Sequence, residues 1–146
     1  MSDDDNKRTT GSRKQPNTYF SQRMMRRGVF ETCFSAHVDA AVAKKTEDEL
    51  FSLVEPGEAI LVWFVDTTRV TGFSPDIGPA GTQLVSRFKK QGGQFMVVVI
   101  TKMAVRMMAQ AIALTSSMKM EIYDSRTRAL EHLQTEILPQ LRETSL

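Results

Sequence analysis

The residue types that carry out nucleophilic and metal chemistry are scarce in this chain. Its 146 residues include two histidines, His37 and His132, and one cysteine, Cys33. A catalytic Ser or Cys needs a base beside it and an acid to orient that base, and no such set is spaced together. His132 falls on the outward side of the last expected helix and reads as a solvated surface residue. His37, two positions before Asp39, reads as an ordered loop histidine, with a general base as the less favoured role. Cys33 reads as a small core hydrophobe, since nothing nearby in sequence depresses its pKa. With no CxxC or Cys/His cluster, no metal site is expected. Gly72, Gly78 and Gly81 match neither GxGxxG nor GxxxxGK[ST], so no phosphate-cradling cofactor loop is expected either. The remaining concentration of polar side chains is the stretch from Asp66 to Gly81, with Thr67, Thr68, Thr71, Ser74 and Asp76 in it. It reads as a loop ending in a helix start, where Asp76 or Ser74 would cap. An anion is drawn to such a start, but Asp76 already supplies negative charge there.

The elements that must position this stretch follow from periodicity. Gly28 to Val38 is rich in β-branched and aromatic residues and predicts an edge or half-buried strand. Thr46-Glu47-Asp48-Glu49 has the form of a capping box and predicts a helix through Leu50, Phe51 and Val54, stopped by Pro56-Gly57. Ala59 to Val65 is a continuous apolar run, short enough for a strand buried on both faces. Ile77, Ala80, Gly81, Leu84, Val85 and Phe88 form a helical stripe, Arg87, Lys89 and Lys90 stay wet, and Gly92-Gly93 ends the helix. Phe95 to Ile100 predicts a second buried strand, and Lys102 to about Leu114 a helix that Thr101 can cap. Met118 to Tyr123 predicts a third strand, and a last helix is capped by Asp124 or Ser125 and frays at Pro139. Met103 and Met107 share a face of the helix after Phe95 to Ile100, and burial against the sheet accounts for them. Met108 and Ile112 extend the apolar surface further round, leaving one side for a partner or a second subunit. Strands alternating with helices are the α/β signature. Neighbouring parallel strands would gather their carboxyl-end loops, including Asp66 to Ser74, on the edge where α/β folds place ligands and partners.

Composition bounds the function classes. Apolar residues make up 41% and charged residues 25% of the chain, which excludes collagen-like and wholly disordered classes. The net charge of +2 is uneven: residues 1 to 28 carry seven basic and three acidic side chains, +4, which leaves −2 for the rest. Residues 1–27 therefore read as a disordered basic leader and 28–146 as the folded domain. Nucleic-acid binding by a nearly neutral core has no electrostatic support. The leader remains a candidate tether to an acidic surface, with a solubilising tail the commoner case. No run approaches a membrane span, and the single cysteine fits a reducing compartment, so a soluble cytoplasmic protein is expected.

The segment from Val65 to Leu133 resembles the STAS domain, the fold of bacterial anti-sigma factor antagonists and of sulfate-transporter cytoplasmic tails. The carrying residues are Asp66 after a buried strand, the segment Thr67 to Phe73, and the amphipathic helix of Leu84 to Phe88. Gly92-Gly93, Phe95 to Ile100, and Ile122-Tyr123-Asp124-Ser125 before Ala129-Leu130 complete the pattern. The resemblance implies a STAS-like α/β fold with a four- to five-stranded, mostly parallel sheet and about four helices. It also implies a non-enzymatic regulatory domain that recognises a protein partner, namely an ATP-binding anti-sigma or switch kinase. In the family's register Ser74 takes the place of its Asp, Pro75 that of its first Ser, and Asp76 that of the serine that is phosphorylated. A carboxylate there mimics part of the charge without the switch. The partner-binding residues so implied are Asp66, Thr68, Val70, Thr71, Phe73, Ser74 and Asp76, with Ser74 and Thr71 as phosphorylation candidates. The alternative is a STAS-like domain that binds a small ligand, a nucleotide, anion or lipid, at the same end of the sheet. A homodimer is a further candidate assembly.

Overall fold

The computed structural model describes residues 20–52 and 59–145. Five strands form one sheet in the order β1 (Phe20–Arg26), β2 (Val29–Val38), β3 (Val62–Phe73), β4 (Phe95–Val99) and β5 (Met120–Tyr123). β1 is antiparallel to β2, and every other pair is parallel. Three helices connect the parallel strands: α1 (Ala40–Ser52), α2 (Ile77–Lys90) and α3 (Met103–Ser116). Each connection steps one strand in the same direction, and crossovers of one hand that step the same way must lay their helices on one face. Trp63 and Val65 of β3 and Met96 and Val98 of β4 accordingly pack with Leu84, Val85 and Phe88 of α2. The opposite face, with Val62, Phe64, Val97 and Val99, is covered by the carboxyl-terminal helical segment through Ala129, Leu133, Ile137 and Leu141. That segment comprises α4 (Arg126–His132), a π turn at Leu133–Ile137, and α5 (Leu138–Ser145). Ser125 caps it, its hydroxyl accepting from the Arg128 amide at 3.1 Å. Pro139 does not end it. A proline ring crowds the carbonyl one turn earlier, and the widened π turn just before it removes that crowding.

Four expectations are corrected by this architecture. Residues 20–26, counted with a leader of little fixed structure, form strand β1, because Phe20, Met24 and the polar residues between them pair with the half-buried β2; residues 1–19 lie outside the described residues. The Thr46 to Glu49 signature is not a helix start. α1 begins six residues earlier, where Asp39 Oδ1 accepts from the Val42 amide at 2.9 Å. Thr46 is buried in mid-helix with its hydroxyl on the Val42 carbonyl, and Glu47 meets Arg87 of α2 at 2.9 Å, so Arg87 is not simply wet. The expected continuation to Val54 and the stop at Pro56-Gly57 lie outside the described residues. Asp66 to Phe73 is not loop but the second half of β3, since the ten-residue β2 offers it a pairing edge and its valine and threonines suit a strand. Finally, Met103 and Met107 are not buried against the sheet. They stand 68% and 63% exposed with Leu114 on the outer side of α3, while Val105, Ala109 and Ile112 face the core. Among the described residues no helix is long and apolar enough to cross a membrane.

The α2 to β4 connection keeps the two apolar strands adjacent. Gly92 takes φ +104°, and the Gly93 amide returns to the Phe88 carbonyl at 2.9 Å. A Cβ on Gly93 would lie 2.5 Å from the Phe88 ring, so the close turn requires glycine at that position.

Candidate functional site

β2 and β3 carry two polar clusters, one within the strands and one at their carboxyl ends. The first lies beneath α4. Strand alternation turns Glu31 of β2 and Asp66 of β3 to the same face as Phe64, and an acidic side chain buried there needs a cation. Arg126, the first residue of α4, supplies it. Its guanidinium contacts Glu31 Oε2, reaches Asp66 Oδ2 at 3.1 Å and sits 5.2 Å from the centre of the Phe64 ring. Glu31 also meets Arg23 of β1 at 2.5 Å, and Asp66 Oδ1 accepts from the Thr68 amide at 2.9 Å and the Thr68 hydroxyl at 2.7 Å. Burial alone would raise the Glu31 carboxyl, but Arg23 and Arg126 outweigh it and hold the group below the ordinary glutamate value. Asp66 follows the same balance, lowered by Thr68 and Arg126 against its burial. Burial first, then the charges of Glu31 and Asp66, push the Cys33 thiol up, so it is a poor nucleophile.

The second cluster is the corner where β2 enters α1 and β3 enters α2. Val38 and Phe73 are the last paired residues, and the Ser74 amide donates to the Val38 carbonyl at 3.0 Å. Directly above them the Ser74 hydroxyl and His37 Nε2 are 2.8 Å apart. Asp76 precedes α2 without capping it. Its Oδ1 instead accepts from the Ala40 amide at 3.2 Å, so α1 begins against two carboxylates, Asp39 and Asp76. Asp76, Thr71 and His37 are exposed and Ser74 is half-buried. Gly72 leaves room for the imidazole, since a Cβ there would lie 3.4 Å from His37 Nδ1.

The residues expected to act together are thus divided. Ser74 and Asp76 stand at the corner, and Thr71 is exposed on β3 three residues before Ser74. Asp66 is only 8% exposed and tied into the first cluster with Thr68, because alternation along β3 turns it under α4 rather than outward. Val70 is 3% exposed and packs with Val38, Val42 and Ile77, and Phe73 is half-buried against the same group. These two anchor the strand end to the core instead of presenting apolar contact. His132 is not fully solvated: it lies 5.3 Å from the Tyr123 ring and 3.5 Å from Glu121. Burial and then Glu121 push the Tyr123 hydroxyl up to about 12. Sequence reasoning missed the Glu31–Arg126 pair, although a glutamate in the apolar run Val29 to Phe34 is itself the signal that a cation must arrive from elsewhere.

No family model matches the chain, and no curated protein matches it. Solved structures do. The anti-sigma factor antagonist SpoIIAA in its unphosphorylated form is 10% identical with a TM-score of 0.61, the match covering 80% of this chain and 98% of that one. A protein of the DUF3478 family with a SpoIIAA-like fold, from Shewanella loihica PV-4, is 9% identical with a TM-score of 0.60, covering 79% and 94%. An anti-sigma factor antagonist from Mycobacterium paratuberculosis is 14% identical with a TM-score of 0.52, also covering 79% and 94%. The chain has the STAS-like α/β fold, and two of these three neighbours are anti-sigma factor antagonists.

Proposed function

We propose that this STAS-like domain is a non-enzymatic regulatory module whose corner of His37, Thr71, Ser74 and Asp76 recognises a protein partner. The reading draws support from the fold it shares with anti-sigma factor antagonists. The observation that carries it is the exposed Asp76 carboxylate, held at the entry to α1 and α2 by the Ala40 amide instead of being spent on capping its own helix. In this reading Asp76 occupies the place of the family's modified serine and contributes one fixed negative charge, against about −1.5 to −2 for a phosphoserine. The partner is an ATP-binding anti-sigma or switch kinase-like protein, met by the polar rim of Thr71, Ser74 and Asp76. Ser74 is the first candidate for phosphorylation, since His37 lies within hydrogen-bond distance of its hydroxyl, and Thr71 is the second.

Partner recovery from the native cell tests this. Asp76→Arg reverses the charge on an exposed position and should reduce recovery of such a kinase at least tenfold, with the circular dichroism spectrum unchanged. Lys90→Glu, at the far end of α2, should leave recovery as it was. Equal recovery with Asp76→Arg and the parent chain would overturn the corner as the recognition surface. Intact-mass spectra of the native protein that carry no phosphate in any growth phase would remove the modification of Ser74 and Thr71 while leaving the rest.

A further inference from the structure

Between the sheet and the layer of α1, α2 and α3 lies an apolar pocket of about 130 Å³ that is partly open to solvent. Its origin is legible in the helices, each of which turns a small residue toward it: Ala43 of α1, Gly81 of α2 and Ala109 of α3. A Cβ on Gly81 would fall 2.6 Å from the Ile112 side chain, so glycine lets α2 and α3 meet beside the cavity while neither fills it. On the sheet side the floor is Trp63, Val65 and Val98. Apart from methionine sulfur, only two lining side chains carry a polar atom, and both are committed. The Thr67 hydroxyl donates to the Val99 carbonyl at 2.7 Å, and the Trp63 indole N–H donates to the Thr32 hydroxyl at 2.9 Å. A water held there needs two to four polar partners, and these walls offer at most the remaining acceptor capacity of the Thr67 hydroxyl.

We propose that this cavity is a binding site for a small uncharged aromatic ring, and that α3 is its movable wall. Size supports the assignment, since an apolar cavity of about 150 Å³ takes up benzene. Chemistry favours a ring over a saturated chain: Met96, Met108 and Met120 stand in the wall beside Trp63, Phe34 and Phe73, and thioethers and aromatic edges both gain specific contact with a π system. The pocket is already partly open, and α3 is the wall that can widen it. α2 sinks five residues into the buried core, Ile77, Gly81, Leu84, Val85 and Phe88, whereas α3 has no buried residue at all. A helix held this lightly opens at a smaller cost than its neighbour. The site lies beneath the helices rather than at the corner, and its assignment does not depend on partner recognition there.

Trp63 is the only tryptophan of the chain and is 2% exposed on the cavity floor, so it reports occupancy directly. Titration of the full chain with bromobenzene should quench its emission saturably through the heavy atom. Benzene at ten times its dissociation constant should raise Tm by about 5 °C. Hexane should bind at least threefold more weakly than benzene, and benzenesulfonate, with the same ring but a charge, should not bind. Ala109→Leu fills the void and should abolish the saturable quenching, as should Ala43→Leu from the opposite wall if the first variant fails to fold. Met107→Gln, on the outer side of α3, should bind as the parent does. Quenching that rises linearly without saturating, that survives unchanged in the filled variants, or that benzenesulfonate matches would overturn the site. Hexane binding as tightly as benzene would overturn the aromatic assignment.

Discussion

The two polar clusters on β2 and β3 are made of similar residue types and have opposite characters. Beneath α4, the Glu31 and Asp66 side chains are 4% and 11% exposed, and each meets the guanidinium of Arg126. At the corner, Asp76 and His37 face solvent, and their hydrogen bonds hold turns together without removing either group from water. A charge inside the fold is stable only with its partner, so the first cluster is an obligation of the architecture. A charge left in water has no such obligation and is available to another molecule. Position along β3 decides between the two: Asp66 lies where alternation and α4 enclose it, and Ser74 lies one residue past the last pairing.

The largest test of this contrast removes the shared cation. Arg126→Met keeps much of the packing on Phe64 but leaves two enclosed carboxylates without it, and the loss of stability should be about 3 kcal/mol in urea unfolding. Asp76→Ala, which removes a carboxylate of the same type from the corner, should stay within about 1 kcal/mol. Comparable losses in the two variants would break the distinction between them.

Acid sharpens it. The Glu31 and Asp66 carboxyls are held below their ordinary values in the folded chain. A carboxyl with a lowered folded pKa binds its proton more readily when unfolded. Its contribution is therefore fully present above the unfolded values of about 4.3 for Glu and 3.9 for Asp, and drains away as pH falls through the folded values. The melting temperature should fall steeply below about pH 4. In a Glu31→Gln, Asp66→Asn double variant the curve should start lower and decline less over the same interval. An acid limb as steep as that of the parent would place the sensitivity in other groups.

Most of the architecture was legible because burial leaves a periodic trace. The apolar run ending at Val65, the Phe95 to Ile100 segment and the stripe from Ile77 to Phe88 each announce their element, and their order implies the parallel sheet. What escaped was decided by pairing across the sheet. The threonines and glycine from Thr67 to Gly72 are as common in loops as in strands, and only the length of β2 makes them strand. The same holds for Phe20 to Arg26, whose charge suggests a solvated leader until β2 is there to pair with it. The corner was half legible. Ser74, Thr71 and Asp76 stood out as polar residues before a helix, but His37 joins them through a register 37 residues long that no local pattern encodes. On α3 the helical period allowed two faces for the methionines. The inward one is set by where Val105, Ala109 and Ile112 meet the sheet, which sequence spacing alone leaves open.

The smallest expected effect is the most discriminating, because it asks whether the hydrogen bond between Ser74 and His37 belongs to the fold. A bond between two groups that water can also serve contributes little on balance, as the broken contact is replaced by solvent. A double-mutant cycle of Ser74→Ala and His37→Ala should therefore give a coupling energy below about 0.5 kcal/mol in unfolding. The parallel cycle of Glu31→Gln and Arg126→Met should exceed about 1.5 kcal/mol, because there the broken partner stays enclosed. If the corner pair couples as strongly as the buried pair, His37 is fixed in place by the fold, and the freedom assigned to Ser74 as a recognition or modification site loses its physical basis.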